Sequence, residues 1–323
     1  MSQPLTRLVF AGEAIVDLVM RVPALPERGG DMLAESSSVQ VGGGFNIMAA
    51  AARQGLPVVY AGGHGTGPWG DMVRAALAAE GISLLRPPDR DADTGFDVAL
   101  VEADAERTFV TSLGAETIRQ PGAWDQVRVL AGDAVYVSGY GLVAPESGVI
   151  LGAWSAALPA GVLLFADPGP LVADIPGAVL GPVLSRCDWW SCNQREAALL
   201  TGASDAVEAA RRLSGRTGRA GVIVRAGRSG CVLTLRAAGP GTDPLVIPAP
   251  EVTAVDTTGA GDAHSGVFLA ELAAALPPAA AASRANAAAA LTVTRLGPAS
   301  SPSRAELDAF LAEGGAGRLR STP

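Results

Sequence analysis

Lysine is missing from this 323-residue chain: all 24 basic residues are arginine. Any phosphate the protein binds must therefore be met by guanidinium, backbone amide or metal, never by an ammonium. Cysteine is scarce, and Cys187, Cys192 and Cys231 lack metal-type spacing; with only two histidines, neither a zinc site nor a disulfide framework is expected. Long apolar runs are lacking too. The longest candidate, residues 268–282, is broken by Glu271 and Pro277-Pro278, short of the roughly 18 residues a membrane span needs. Residues 1–7 do not have the charged-then-apolar form of a signal peptide, so a cytoplasmic location is expected. Net charge is −8 and the arginines are scattered rather than striped, which argues against nucleic acid or a membrane as partner. Apolar residues, at 49%, are plentiful enough for one large α/β domain or two ordinary ones.

Short runs rich in Val, Leu and Ile at 8–11, 58–61, 134–137, 162–166, 189–191 and 222–225 read as buried parallel strands. Helical spacing occupies 46–54, 69–80, 146–158, 195–201 and 207–213 between them. This alternation predicts a doubly wound, mostly parallel sheet flanked by helices, with ligands at the strands' carboxyl ends. Two regions break the pattern. Residues 14–22 with 32–39, and 96–102 with 107–112, are β-like and lack a crossover helix, and Asp104-Ala105-Glu106 reads as a hairpin tip. They predict a small antiparallel β lid, from about 13–39 and 95–113, on a main domain of residues 1–316 with a tail at 317–323.

The segment Asp256-Thr257-Thr258-Gly259-Ala260-Gly261-Asp262 runs straight into an apolar helical pattern over 263–276. Gly259 and Gly261 have no Cβ and Ala260 has only a methyl group, so a phosphoryl group can lie against the main chain. The helix N-terminus adds free amides and the positive end of a dipole. Asp262 falls in the first turn. A carboxylate there would repel a bound phosphate, a placement that makes sense if it accepts a proton from an attacking hydroxyl.

Other segments carry weaker signals. Gly42-Gly43-Gly44-Phe45-Asn46 precedes a helix, and an Asn amide pairs with hydroxyls as donor or acceptor. Asp17 stands where the first core strand hands over to the lid, where solvent exposure alone would also explain it. Asn193 and Glu196, three apart at a helix start, read as a capping box. Residues 224–230 end a strand in a glycine-punctuated turn. Gly62 to Gly70 invites a dinucleotide reading but lacks the P-loop Lys-Ser/Thr pair and the acidic residue such a fingerprint requires. His64 and His264 read as turn and helix residues.

The heptapeptide ending in Asp262 resembles the signature of the ribokinase-like (PfkB) family of carbohydrate and nucleoside kinases. The resemblance extends from Gly12 to about Ser303. It implies Asp262 as catalytic base, with Gly259, Ala260 and Gly261 as an anion hole for the γ-phosphoryl. It implies substrate contacts from Asp17, Gly43, Gly44, Asn46 and Arg107. For the nucleotide it implies Asn193, Glu196, Arg225, Gly227, Gly230, Thr258 and Asn286, with Asn193 and Glu196 organising Mg²⁺ partly through water. Asp256, Thr258 and Ser301 match a monovalent-cation (K⁺) site of some members, and the lid's outer face a dimer interface. Two departures stand out: the family's first loop glycine falls on Val41, by substitution or because the loop is one residue short, and the Asp usual near Gly67 is absent. The expectation is an ATP- and Mg²⁺-dependent kinase phosphorylating a hydroxyl of a small ribose-, fructose- or keto-sugar-type molecule. The rivals are a nucleoside kinase, with Phe45, Phe96 and Phe109 packing a base, a phosphosugar kinase, and a catalytically silent nucleotide- or sugar-binding protein.

Overall fold

The computed structural model describes residues 4–103, 106–118, 120, 122–217, 221–235 and 243–314. Asp104 and Ala105 of the expected hairpin tip, and the tail 317–323, lie outside them. The strands are β1 (Arg7–Ala11), β2 (Ala14–Arg21), β3 (Ser36–Gly43), β4 (Val58–Tyr60), β5 (Ser83–Leu84), β6 (Phe96–Val101), β7 (Arg107–Ser112), β8 (Asp133–Ser138), β9 (Leu163–Asp167), β10 (Trp189–Asn193), β11 (Gly221–Arg225), β12 (Cys231–Leu235) and β13 (Leu245–Ile247). Among the described residues they form a nine-stranded sheet, β13-β12-β11-β10-β9-β8-β1-β4-β5, and a four-stranded one, β3-β2-β6-β7.

Strands β5 to β11 of the large sheet are parallel, and β12 and β13 extend it antiparallel. The reversal has a local cause. Only residues 226–230, with the short turn Gly227–Ser229 among them, separate β11 from β12, too little chain for a crossover. Alternate residues of each strand feed two cores, one per face. Leu8, Phe10, Ala134 and Tyr136 pack with the helices Phe45–Arg53, Ala260–Ala273 and Pro278–Thr292. Val9, Ala11, Val135 and Val137 pack with Ser147–Ala156, Gly177–Arg186 and Ala206–Arg216. Since β1 has β4 on one side and β8 on the other, the winding reverses there and a crevice opens at its carboxyl end.

The small sheet rises from that crevice. Its β2/β3 and β6/β7 pairs are antiparallel as expected, but the central β2/β6 pair is parallel. β2 and β6 leave the main domain separately and in the same direction, so no turn forces them to oppose. One buried carboxylate straps the root of the second hairpin: Glu116 accepts the N–H groups of Gly95 (2.8 Å) and Gly114 (2.7 Å).

A second carboxylate explains the glycine at position 67. Asp93 accepts the N–H groups of Gly67 (3.1 Å), Trp69 (3.0 Å) and Gly70 (2.8 Å), capping the helix Pro68–Ala79, and that of Thr94 (2.7 Å). A Cβ on Gly67 would lie 2.3 Å from Asp93 Oδ2. The acidic cap that resemblance places near position 67 is thus supplied from another segment, and its carboxylate fills the space a side chain there would need. Burial works against the charge of Asp93, but the backbone donors outweigh it and hold the carboxyl below its ordinary range.

Candidate active site

Ser138, Asp167, Asn193 and Arg225 are the last residues of β8, β9, β10 and β11, and Glu13 follows β1. Parallel strands therefore deliver a row of polar side chains to one edge of the crevice. The helix Ala260–Ala273 closes over this row. Its N-cap, Gly259, has φ +73°, and a Cβ there would lie 2.1 Å from Pro298 O. The first firm helical bond is Ala263 N–H to Gly259 O (2.8 Å). Ala260 N–H makes only a long contact with Thr257 O (3.4 Å), and the amides of Gly259, Gly261 and Asp262 have no acceptor among the described residues. They form a ready anion site at the positive end of the helix.

Asp262 stands in that first turn and makes no ion pair among the described residues. Its Oδ2 accepts Asn46 Nδ2–H at 3.0 Å. Two helices must meet closely for this bond to form. Gly266 faces Ile47 O, Ala50 and Ala51, and any Cβ at position 266 would lie 2.5 Å from Ile47 O. Burial pushes the Asp262 carboxyl up to about 6; the Asn46 hydrogen bond opposes, Asp167 adds to the rise, and Arg225 offsets part of it. A carboxylate poised near neutrality beside free amides has the equipment of a general base at an anion hole.

On the lid side, Asp17, Arg107, Asp256 and Thr258 line a cavity of about 190 Å³ between the inner face of the small sheet and the loops 256–258 and 296–298. Gly42 leaves room for Asp17, whose Oδ2 lies 2.0 Å from where a Cβ of residue 42 would be. Val41 is buried in the core, so the loop meets the crevice through Gly42, and Gly43 and Gly44 carry the chain into the helix of Asn46. Arg107 departs from the expected substrate contact in one respect: it is ion-paired to Asp256 Oδ1 at 2.6 Å. Thr258 N–H (2.9 Å) and Oγ1–H (2.7 Å) share that oxygen, and Gly297 N–H (3.2 Å) takes the other.

On the nucleotide side, the structure gives the expected residues partners within the protein. Arg225 does not reach outward. Its Nη1 donates to Asp167 Oδ2 (2.6 Å), Ser191 Oγ (2.9 Å) and Ser265 Oγ (3.1 Å), with its Cζ 3.5 Å from where a Cβ of Gly261 would be. Burial opposes that charge and Asp167 more than restores it, so Arg225 is a permanent cation backing the anion loop from beneath. Asn193 and Glu196 form a complete capping box: Glu196 takes Asn193 N–H (2.7 Å) and Nδ2–H (2.6 Å), and Asn193 Oδ1 takes Glu196 N–H (2.9 Å). Both side chains are engaged by the cap, and Asn193 keeps a second Oδ1 lone pair and a second Nδ2 hydrogen for water or a ligand. Asn286 is buried and gives its amide to Ile247 O (2.9 Å) and Pro248 O (3.2 Å), so it builds the wall instead of facing a ligand. Gly227 and Gly230 frame the β11–β12 turn, and Ser301 Oγ is buried without a partner among the described residues.

Sequence reasoning overlooked Asp97, Asp167 and Glu13. Asp167 directly follows a predicted strand, the place where a doubly wound sheet presents ligands-binding groups, so a signal existed. Asp97 was visible as an acid inside a strand, where Asp is depleted. Glu13 accepts Ser138 Oγ–H (2.8 Å), and burial first of all, with nearby Glu116 and Asp262, pushes it up to about 7.

Residues 5–305 match the model of the pfkB family carbohydrate kinases. The chain is 36% identical over 307 residues to the uncharacterized sugar kinase YegV of Escherichia coli, covering 93% of this chain and 92% of that protein. It is 31% identical over 313 residues to the ATP-dependent ribose-1-phosphate kinase of Halopiger xanaduensis, covering 96% and 99%. The structure of Arabidopsis thaliana ribokinase complexed with ribose and ATP superposes with a TM-score of 0.77 over 95% of this chain and 99% of that one, at 24% identity. The chain belongs to the pfkB carbohydrate kinase family and is a sugar kinase of the ribokinase type, a phosphotransferase with an alcohol group as acceptor.

Proposed function

We propose that this protein transfers the γ-phosphoryl group of ATP, with Mg²⁺, to a hydroxyl of a small neutral sugar of the ribose, fructose or keto-sugar type. The observation that carries the reading is Asp262: a carboxylate free of ion pairs among the described residues, raised to about 6, beside helix-terminal amides that lack acceptors among them. In this reading Asp262 takes the proton of the attacking hydroxyl, and the loop Gly259-Ala260-Gly261 holds the transferring group with its amides, backed by Arg225. Asp17 and Asn46 orient the acceptor, and the lid excludes water. Together positioning and electrostatics supply most of the acceleration, with the base adding about 10²–10⁴-fold.

The donor set fits the expected ions. When bound, Mg²⁺ neutralises phosphate charge. Asp167 and Glu196 are the hard oxygen donors nearby, and no three carboxylate, His or Cys groups converge among the described residues, so phosphates and water would complete its shell. By the resemblance, a K⁺ ion would be held by the main-chain carbonyls of Asp256 and Thr258 with Ser301, whose hydroxyl is buried and lacks a partner among the described residues. A homodimer through the lid is also part of the reading. Val39, Leu18, Val98 and Val110 pair in one row across the outer face, with Val39 49% and Val110 67% exposed. No described helix is long and apolar enough to cross a membrane, and a cytoplasmic setting, where ATP is available, completes the proposal.

The aromatic residues disfavour a nucleoside acceptor. Phe45 is buried in the core and Phe96 packs on Trp69, which leaves Phe109 to line the cavity. One observation favours a second reading. Arg21 lines the cavity's outer part and has no ion-pair partner among the described residues, so with Arg107 it offers a place for a sugar phosphate, the acceptor class named for the Halopiger relative. A coupled ADP-release assay with Mg²⁺ across neutral sugars, sugar 1-phosphates and nucleosides decides between them. Turnover on a neutral sugar, abolished by chelation, is expected. Release confined to sugar phosphates or nucleosides overturns the neutral-sugar assignment, and none on any acceptor overturns the kinase.

A further inference from the structure

Two carboxylates stand side by side at the root of the lid, and the reading above uses only one. Parallel strands β2 and β6 are in register with Asp17 opposite Asp97, so both side chains leave the same face of the sheet. Further along that face, Val19, Arg21, Ala99 and Val101 line the cavity. Asp97 is only 8% exposed, and its Oδ1 has no hydrogen-bond partner among the described residues. Neither acid has an ion-pair partner among the described residues, since Arg107 is held by Asp256. Native folds rarely leave a buried carboxylate oxygen bare, because the group has lost water and gained nothing. Burial pushes Asp97 up to about 6 and, together with the charges of Asp97 and Asp262, pushes Asp17 up to about 7. Across the crevice Asn46 Oδ1 is buried and equally unpartnered, although its amide serves Asp262. These acceptors lack donors, and a polyhydroxylated ligand would bring them.

We propose that Asp97 is a specificity-determining residue: beside Asp17, it accepts a hydrogen bond from a second hydroxyl, so the site selects sugars with two neighbouring hydroxyls remote from the reacting one. The spacing of adjacent strands, about 4.8 Å, lets hydroxyls on adjacent carbons reach one carboxylate each. The inference deepens the kinase reading and rests on it for the acceptor's role, but sugar binding can be measured without turnover.

The test uses the full-length protein and calorimetric titration with ribose, fructose and their monodeoxy analogues, alongside steady-state kinetics. Asp97→Ala should weaken binding of the parent sugar roughly 10- to 100-fold. It should leave unchanged the one analogue that lacks the gripped hydroxyl, and the KM for ATP. Asp97→Asn keeps one acceptor oxygen and the side-chain volume, so it should lose less and guards against misfolding. Equal losses on the parent and every analogue, no loss at all, or a wild type that binds none of these sugars would each overturn the clamp. Asp97-dependent sugar binding without any ADP release would leave the clamp standing and overturn the kinase reading instead.

Discussion

Replacing Asp262 by Asn exchanges one oxygen for an amide nitrogen and keeps a carbonyl to accept Asn46 Nδ2–H, now at 3.0 Å. The loop geometry should therefore survive, and two effects of opposite sense follow. The base is lost, so turnover should fall about 10²–10⁴-fold, a barrier increase of about 3–5 kcal/mol. Stability should rise. Burial has moved this carboxyl from 3.8 to about 6, so the native state binds its proton more tightly than the unfolded chain does. Stability from this group is present below about pH 4 and lost as pH rises through 6, amounting to about 3 kcal/mol at most, at about 1.36 kcal/mol per pH unit. A neutral Asn removes that penalty. At pH 8 the variant should melt a few degrees higher than the wild type, and the gap should close below about pH 4. Coupled ADP release and scanning calorimetry between pH 4 and 8 read both effects, and wild-type kcat/KM should lose activity below about pH 6 as the base protonates. Wild-type turnover in the variant would refute the base. A lower Tm at pH 8 would refute the picture of a desolvated, poised carboxylate.

Three further outcomes are expected. Asp93→Ala strands the four N–H groups it now accepts and should cost about 2–4 kcal/mol in urea unfolding at pH 7; because its folded pKa is depressed, the wild-type advantage should be present above about pH 4 and disappear in acid, and an unchanged midpoint at pH 7 would refute the cap. His264 is buried, and burial, then the charge of Arg225, push it down to about 3 against an opposing contribution from Asn286. Its neutral form is favoured in the fold, so wild-type stability should decline as pH falls from about 6.5 toward 3, and His264→Phe should abolish that part of the decline; an identical pH profile would count against it. Gly266→Val should drive Ile47 O away, part Asn46 from Asp262 and lower kcat/KM by about 100-fold, and an unaltered kcat/KM would show that this helix contact does not set the site's geometry.

The parts legible in the sequence are those whose residues are contiguous or periodic. The anion loop and its carboxylate occupy residues 256–262 as one stretch, so the amides, the glycine at φ +73° and the acid arrive together. Six strands and their crossover helices followed from apolar periodicity to within a residue or two, apart from the 207–213 helix, which continues to Arg216. The helix Gly177–Arg186 escaped because Pro182 interrupts a pattern flanked by proline and glycine. Strands β12 and β13 escaped because nothing local distinguishes a hairpin return from a turn before a crossover.

What tertiary structure alone decided was partnership. The residue types at 17, 67, 93, 97, 107, 167, 225 and 256 were all in view, yet Asp17 meets Asp97, Asp93 caps the helix after Gly67, Arg107 pairs with Asp256, and Arg225 turns inward to Asp167. Each pairing depends on strand register or on where a crossover returns the chain, and these are set by the packing of two cores. The sequence by itself determined which backbone amides would stand free and which acid would stand beside them, because both are properties of a single helix start. Whether the neighbouring charges face that acid, cancel elsewhere or wait for a ligand depended on segments that only the folded sheet brings within reach.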